Sequence, residues 1–266
     1  MSMKTEYLTI PDDGELKSVL GADVLARETV HEWQLSRVEK ITAGRDVFIL
    51  KTQLAAASVE RAFFENVDHP LLCRPIAAFP SGDCDALLFP LLTGEPDDWT
   101  SMTDEEIRRR ARELTAPFFS LDAPHYFDYS SPAALNIAFA SVRNVLKDAG
   151  MGEDELEALG SALRENCGAF FEEQVGLLHG DLTEGNVLGG ILIDWQRPIL
   201  GPRPLDEELA LLLSRRAVTG VFGGLAHFAL CHWFAHAYAH FLRVPFVCAM
   251  AVRFARESLK ILPKGV

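Results

Sequence analysis

The sequence predicts an α+β protein in two lobes. A small N-terminal lobe over residues 1–91 carries an antiparallel sheet and one helix, and a larger, mainly helical lobe covers residues 92–266. Three observations predict this. Residues 23–52 alternate and are rich in Val, Ile and Thr, the pattern of half-buried strands. Beyond residue 100 apolar residues recur at helical spacing instead. Between the two regimes, Leu92-Thr93-Gly94-Glu95-Pro96 is the best breakpoint in the chain.

In the first lobe, strands are expected near residues 23–30, 32–41 and 46–52, with Thr42-Ala43-Gly44-Arg45 turning the second into the third. Ala26-Arg27-Glu28-Thr29-Val30-His31 then connects the first two and contains no glycine. Val47, Ile49 and Lys51 share one face of the third strand, so Lys51 is a lone cation closing an apolar strand. A strand-end lysine reaching solvent is the plain alternative. Residues 55–67 form a helix with Val59, Phe63 and Val67 on its apolar face. Two further strands, residues 74–79 and 85–91, flank Pro80-Ser81-Gly82-Asp83.

In the second lobe, Thr103-Asp104-Glu105-Glu106 is a capping box opening a helix to about residue 119. Arg108, Arg109, Arg110 and Arg112 follow and read as a solvated helix face rather than an anion site. Residues 132–147 and 153–173 are two more amphipathic helices, so helices alone fill the span before residue 177. Residues 217–242 are 26 positions without Asp, Glu, Lys or Arg, long enough to span a bilayer. Their histidines and early glycines favour a buried core helix. His232, His236 and His240 lie on one stripe of it, read as individually hydrogen-bonded histidines in preference to metal ligands.

The stretch that carries chemistry runs from Leu177 to Gln196. Val187-Leu188, Gly189-Gly190 and Ile191-Leu192-Ile193 spell apolar run, two-glycine turn, apolar run, a hairpin signal. That register brings Asp194 to one step from Asn186 across the open end. A carboxylate and an amide oxygen so placed suit a hard cation such as Mg²⁺. Asp181, five residues before Asn186, would stand beside the metal, free to orient and deprotonate an attacking hydroxyl. A surface loop using Asp and Asn for turn chemistry needs no second Asp at the far end of a hairpin.

His179-Gly180-Asp181, Asn186 and Ile193-Asp194-Trp195 together resemble the catalytic segment of kinase-like small-molecule phosphotransferases, the aminoglycoside phosphotransferase and choline kinase group. Protein kinases carry Arg where this chain has Gly180 and Phe-Gly where it has Trp195-Gln196, which favours the small-molecule branch. The resemblance covers roughly residues 40–215. It implies a two-lobed protein-kinase-like fold using Mg²⁺ and ATP, with GTP left open, to phosphorylate a hydroxyl of an antibiotic, sugar, amino alcohol or similar molecule. Carried over by position, Asp181 is the catalytic base, Asn186 and Asp194 are the metal ligands, and Lys51 contacts the α- and β-phosphates. Phe89, Leu91 and Leu92 fall in the hinge whose backbone holds the adenine edge. The family lysine pairs with a helix glutamate, here Glu60 or Glu65. Asp206, in a segment similar to the family's Gly-Pro…Asp-Leu-Ala, would brace the catalytic loop together with His179, unless it is an ordinary helix-start Asp. The missing Gly-rich loop departs from the pattern, because glycine lets backbone N–H groups close on phosphates.

Composition sets the remaining expectations. A net charge of −13 argues against a nucleic-acid partner. It leaves a nucleotide and a small-molecule acceptor as partners, with no membrane and no oligomeric state specified. The five cysteines are scattered, without a Cys-x-x-Cys, and read as thiols in a reducing compartment. Residues 1–7 show no apolar leader, and the expectation is a cytoplasmic protein. Aminoglycoside kinases favour acidic patches for their polycationic sugars. Here the tail holds Arg243, Arg253, Arg256, Lys260 and Lys264 against Glu257 alone, which counts against that acceptor. The rival from another class is a non-catalytic kinase-like module that binds nucleotide or a protein partner.

Overall fold

The computed structural model describes residues 8–263. Residues 1–7, on which the expectation about a leader rests, and Lys264 of the basic tail lie outside the described residues. The chain divides into two units: one runs through Glu95 and takes up Leu188–Gln196 again, and the other holds Pro96–Val187 and the chain from Arg197 onward. The division falls after Glu95 instead of Leu91 because residues 92–95 lie against the two-glycine turn. Gly189 N–H donates to the Glu95 carbonyl at 2.9 Å. A Cβ on Gly94 would come within 2.5 Å of Gly189 N, so only glycine permits this approach.

The first unit opens with a helix that the strand pattern does not announce, α1 (Asp13–Leu20). Asp12 and Glu15 form a capping box, Gly21 ends the helix at φ 68°, and Leu16 is fully buried. Strands β1 (Val24–Trp33), β2 (Ser36–Ala43) and β3 (Asp46–Leu54) follow, then α2 (Glu60–Asn66), β4 (Ala77–Ser81) and β5 (Cys84–Pro90). The sheet is antiparallel throughout, in the order β1-β2-β3-β5-β4. The expected connection at residues 26–31 is a correction: it lies inside β1, and the turn is at Gln34-Leu35. Trp33 Nε1 donates to Ser36 Oγ there at 2.5 Å. Most of β1 faces solvent, so its alternation carried no burial signal. The helix expected over 55–67 is also shorter, its first residues forming a 3₁₀ turn, Ala55–Ala57. Leu16, Ile41, Leu50, Ala86 and Leu88 make one core, each large side chain contributing about 1.5–3 kcal/mol.

The second unit begins with α3 (Asp104–Thr115), whose Thr103/Glu106 capping box is as expected. The arginines on it are not simply solvated: Arg108 pairs with Glu208, Arg110 with Asp97 and Arg112 with Glu207, each at 2.7 Å. A short strand, β6 (Phe127–Asp128), interrupts what was expected to be helix alone, ahead of α4 (Pro132–Asp148). The helix expected over 153–173 is two, α5 (Glu153–Glu165) and α6 (Cys167–Glu172). Asn166 separates them, its amide donating to the carbonyls of Ala162 and Pro263 at 2.8 and 3.0 Å. β7 (Val175–Leu178) precedes the loop of interest. The hairpin β8 (Val187–Leu188) and β9 (Ile191–Leu192) follows it, turned by Gly189 at φ 57° and Gly190 at φ 81°. β10 (Ile199–Pro202) lies between β6, parallel to it, and β7, antiparallel to it.

Three helices complete the second unit, α7 (Pro204–Leu213), α8 (Gly220–His240) and α9 (Pro245–Ile261). α8 is the charge-free helix, with Phe228, Cys231 and Ala235 fully buried. Among the described residues no helix is long and apolar enough to cross a membrane. His232 is buried between Tyr129 Oη at 2.9 Å and Ser141 Oγ at 3.1 Å, and His227 Nδ1 lies 2.9 Å from the Gly223 carbonyl. All five cysteines are free thiols.

Candidate active site

The first unit contributes a buried charge cluster. Alternation in β3 turns Lys51 inward, and Lys51 is only 7% exposed. Its Nζ donates to Glu60 Oε2 and to Asp194 Oδ1, both at 2.5 Å. Burial pushes the ammonium down, but the carboxylates of Asp194 and Glu60 outweigh it and hold Lys51 above its ordinary value. Of the two candidate glutamates, Glu60 is the one in contact, while Glu65 pairs with Arg61 at 2.9 Å near the surface. Glu60 is fixed by its place in the first turn of α2, where Ser58 Oγ accepts its backbone N–H at 3.0 Å.

Asp194 sits at φ 65°, in the left-handed region that a non-glycine residue enters at a cost of about 1–2 kcal/mol. Its neighbours hold it there. Trp195 stacks on Phe63 with ring centroids 4.7 Å apart, and the Gln196 carbonyl accepts Val59 N–H at 3.1 Å. Phe89 lies at the end of β5 with its ring against Phe64, centroids 5.6 Å apart. Leu91 and Leu92 follow outside the strand, Leu91 being 39% exposed.

The second unit contributes the loop after β7. Asp206 comes from the first turn of α7 but does not cap it. Its carboxylate accepts the backbone N–H of His179 and of Gly180, both at 3.0 Å. Asp206 and His179 are buried. Gly180 is required at φ 78°, since a Cβ would meet the Arg197 carbonyl at 2.7 Å. The loop thus delivers Asp181 half-buried, its side chain 27% exposed. Asn186 closes the following 3₁₀ turn, and its Nδ2 donates to the Asp181 carbonyl at 2.8 Å. The amide oxygen is thereby turned the other way.

Two residues of this site escape sequence reasoning. Arg197 Nη2 lies 2.8 Å from Asp181 Oδ2, and the Arg197 guanidinium stacks 3.8 Å over the ring of Trp233 on α8. Their only sequence signal is an Arg directly after Trp195-Gln196, which does not announce its partners. Asp181, Arg197 and Trp233 line a cavity of about 310 Å³ within the second unit.

Each unit carries one oxygen donor of the type a hard cation takes. In the first unit that donor is the Asp194 carboxylate, and in the second it is the Asn186 amide oxygen. Lys51 has two carboxylates, Glu60 and Asp194, on its ammonium. Among the described residues no group of three or more His, Cys, Asp or Glu is placed to hold a metal ion.

No protein-family model matches the sequence, and no curated protein matches it. Solved structures do match. A thermostable mutant of aminoglycoside phosphotransferase APH(4)-Ia, in a ternary complex with ADP and hygromycin B, aligns at a TM-score of 0.60 and 13% identity over 95% of this chain and 99% of that one. A candidate fructosamine-3-kinase from Thermobifida fusca YX-ER1 aligns at 0.57 and 13% identity over 93% and 98%. A candidate aminoglycoside phosphotransferase from Ralstonia eutropha JMP134 aligns at 0.56 and 11% identity over 91% and 93%. The chain therefore has the α+β, protein-kinase-like fold shared by structures of aminoglycoside phosphotransferases and fructosamine-3-kinase-like proteins.

Proposed function

We propose that the protein is a phosphotransferase that moves the γ-phosphoryl group of ATP to a hydroxyl of a small molecule, with Mg²⁺. The observation that carries this reading is the buried Lys51 ammonium held between Glu60 and Asp194, each at 2.5 Å. Burying that many charges is costly, and a purely structural core would do better with apolar residues of similar size. The cluster makes sense as a phosphate-binding cation with a metal ligand beside it.

Bound Mg·ATP supplies the electrophilic γ-phosphorus and neutralises phosphate charge. The chain supplies positioning. Lys51 holds the α- and β-phosphate oxygens, kept in place by Glu60. Asp194 and Asn186 offer the metal its protein ligands. The backbone around Phe89, Leu91 and Leu92 receives the adenine edge. Asp206 and His179 hold the loop that aims Asp181. Asp181 orients the acceptor hydroxyl and takes its proton as the acceptor oxygen bonds to phosphorus. The bond from phosphorus to the β,γ-bridging oxygen breaks, and its electron pair leaves with ADP.

One observation favours the rival reading of a non-catalytic nucleotide-binding module: the Arg197 ion pair on Asp181. Thermal unfolding with and without ATP and Mg²⁺ begins the test. Mg·ATP at 100 times its Kd adds about 2.7 kcal/mol of stability. Asp194→Ala removes the only charged metal ligand and should lose that gain. No stabilisation of the wild type at millimolar Mg·ATP would sink both readings. Stabilisation without ADP release on a broad panel of alcohols would favour the binding module.

A further inference from the structure

The cavity beside Asp181 says what kind of molecule it receives. Apart from Asp181 and Arg197, every residue lining its 310 Å³ is glycine, aliphatic or aromatic. Ile199 of β10 and Leu212 and Leu213 at the end of α7 are among them. Trp233 and Phe234 of α8 supply aromatic rings.

The two charged groups cancel. Asp181 already carries Arg197 at 2.8 Å, so its carboxylate is not an unpaired anion waiting for an ammonium group. An acceptor bearing several ammonium groups would bring them beside the Arg197 guanidinium and bury them on Leu and Trp. That burial is unfavourable without a carboxylate partner. A quaternary ammonium seated on Trp233 would place its charge beside the Arg197 guanidinium, 3.8 Å from the centroid of that ring. Size points the same way. The cavity is about twice the ~150 Å³ that accommodates one benzene ring. It therefore has room for one or two rings.

We propose that the acceptor is a compact, uncharged, mainly hydrocarbon alcohol of one or two rings, seated on Trp233 and Phe234 with its hydroxyl at Asp181. Arg197 is then a positioning residue, linking the angle of the cavity wall to the orientation of Asp181. This inference rests on the phosphotransferase reading for its chemistry, but the binding it requires does not.

Two readouts keep the two claims apart. The probes are decahydronaphthalenemethanol (two saturated rings, optically silent), cyclohexanemethanol, kanamycin and choline. Binding to the full chain without nucleotide is followed by tryptophan emission and calorimetry, and ADP release is followed with ATP and Mg²⁺. The ring alcohols should change the emission of the wild type, and kanamycin and choline should not. Leu213→Trp, which fills the cavity from its half-buried rim, should weaken alcohol binding at least tenfold. Should that variant not fold, Leu213→Asn, smaller and polar, must weaken the same binding at least threefold. With ATP present, a ring alcohol should raise ADP release at least tenfold over the acceptor-free rate. Binding that responds to Leu213 without any ADP release would leave the ligand class standing and remove the phosphotransferase reading. Failure of both ring alcohols to bind the wild type, or ADP release driven by kanamycin or choline, would overturn the proposed acceptor class while leaving phosphotransfer intact.

Discussion

Arg197 holds Asp181 from 2.8 Å while its guanidinium carbon lies over Trp233, 3.8 Å from the ring centroid. An arginine can do both at once because its planar fork stacks and donates in the same plane. In the proposed reaction that contact fixes the direction of the base without touching nucleotide. Arg197→Met should therefore lower kcat by roughly 10–100-fold, a fraction of the effect of a positioned base, with Mg·ATP affinity unchanged. Arg197→Lys should recover only part, since an ammonium cannot reproduce the stack. Steady-state kinetics beside nucleotide titration would check this. An unchanged kcat in Arg197→Met would remove the positioning role.

Lys51 and Glu60 bear on stability as well as binding. Glu60 is 1% exposed, and with Lys51 gone it would be a buried carboxylate without its cation. Lys51→Met should cost about 3–5 kcal/mol in urea unfolding and abolish Mg·ATP binding. Lys51→Met combined with Glu60→Leu should regain most of the stability and none of the binding. If the single variant is as stable as the wild type, the pair is not the buried cluster described.

The Tyr129–His232–Ser141 contacts make a pH-dependent contribution. Burial lowers His232 to about 3 and, with the nearby His240 charge, lowers His236 to about 4, from an ordinary 6.5. Between those values the unfolded chain binds protons that the folded chain refuses. Stability is then full above pH 6.5 and falls as the pH drops toward 3, by about 1.4 kcal/mol per pH unit for His232. Urea unfolding from pH 7 to pH 4 should show a shallower slope for His232→Gln than for the wild type. Parallel slopes would mean that His232 is protonated in the folded state.

Legibility followed locality. The Gly189-Gly190 hairpin and the β3 face of Val47, Ile49 and Lys51 were readable because their signals are periodic and short-range. The cap of α3 was readable for the same reason. α1 had an equally local signal in Asp12, Glu15 and Gly21, but at eight residues its apolar period is a single turn, Leu16, Val19 and Leu20, too short to stand out beside the strands. The turn at Gln34-Leu35 hid because β1 is mostly exposed on both faces. The break at Asn166 hid because α5 and α6 both bury apolar residues, so the pattern runs on across it. Arg108 and Arg112 looked solvated because their acids, Glu208 and Glu207, lie far along the chain, 100 and 95 residues away, whereas Asp97, the partner of Arg110, is only 13 residues away but outside the helix. Asp181, Asn186 and Asp194 stood out by spacing. Arg197 did not, since nothing local says that its partners are Asp181 and a tryptophan on α8.

The measurement that tests the account most directly is single-turnover phosphoryl transfer by Asp181→Asn on an acceptor that the wild type uses. The swap is nearly isosteric, Asn can still accept from Arg197, and no proposed metal ligand is altered. The account predicts a folded protein with wild-type Mg·ATP affinity and a rate lower by roughly 10²–10⁴-fold, the range for a positioned acid or base. A variant that transfers phosphate at the wild-type rate, or that loses Mg·ATP binding altogether, would contradict it.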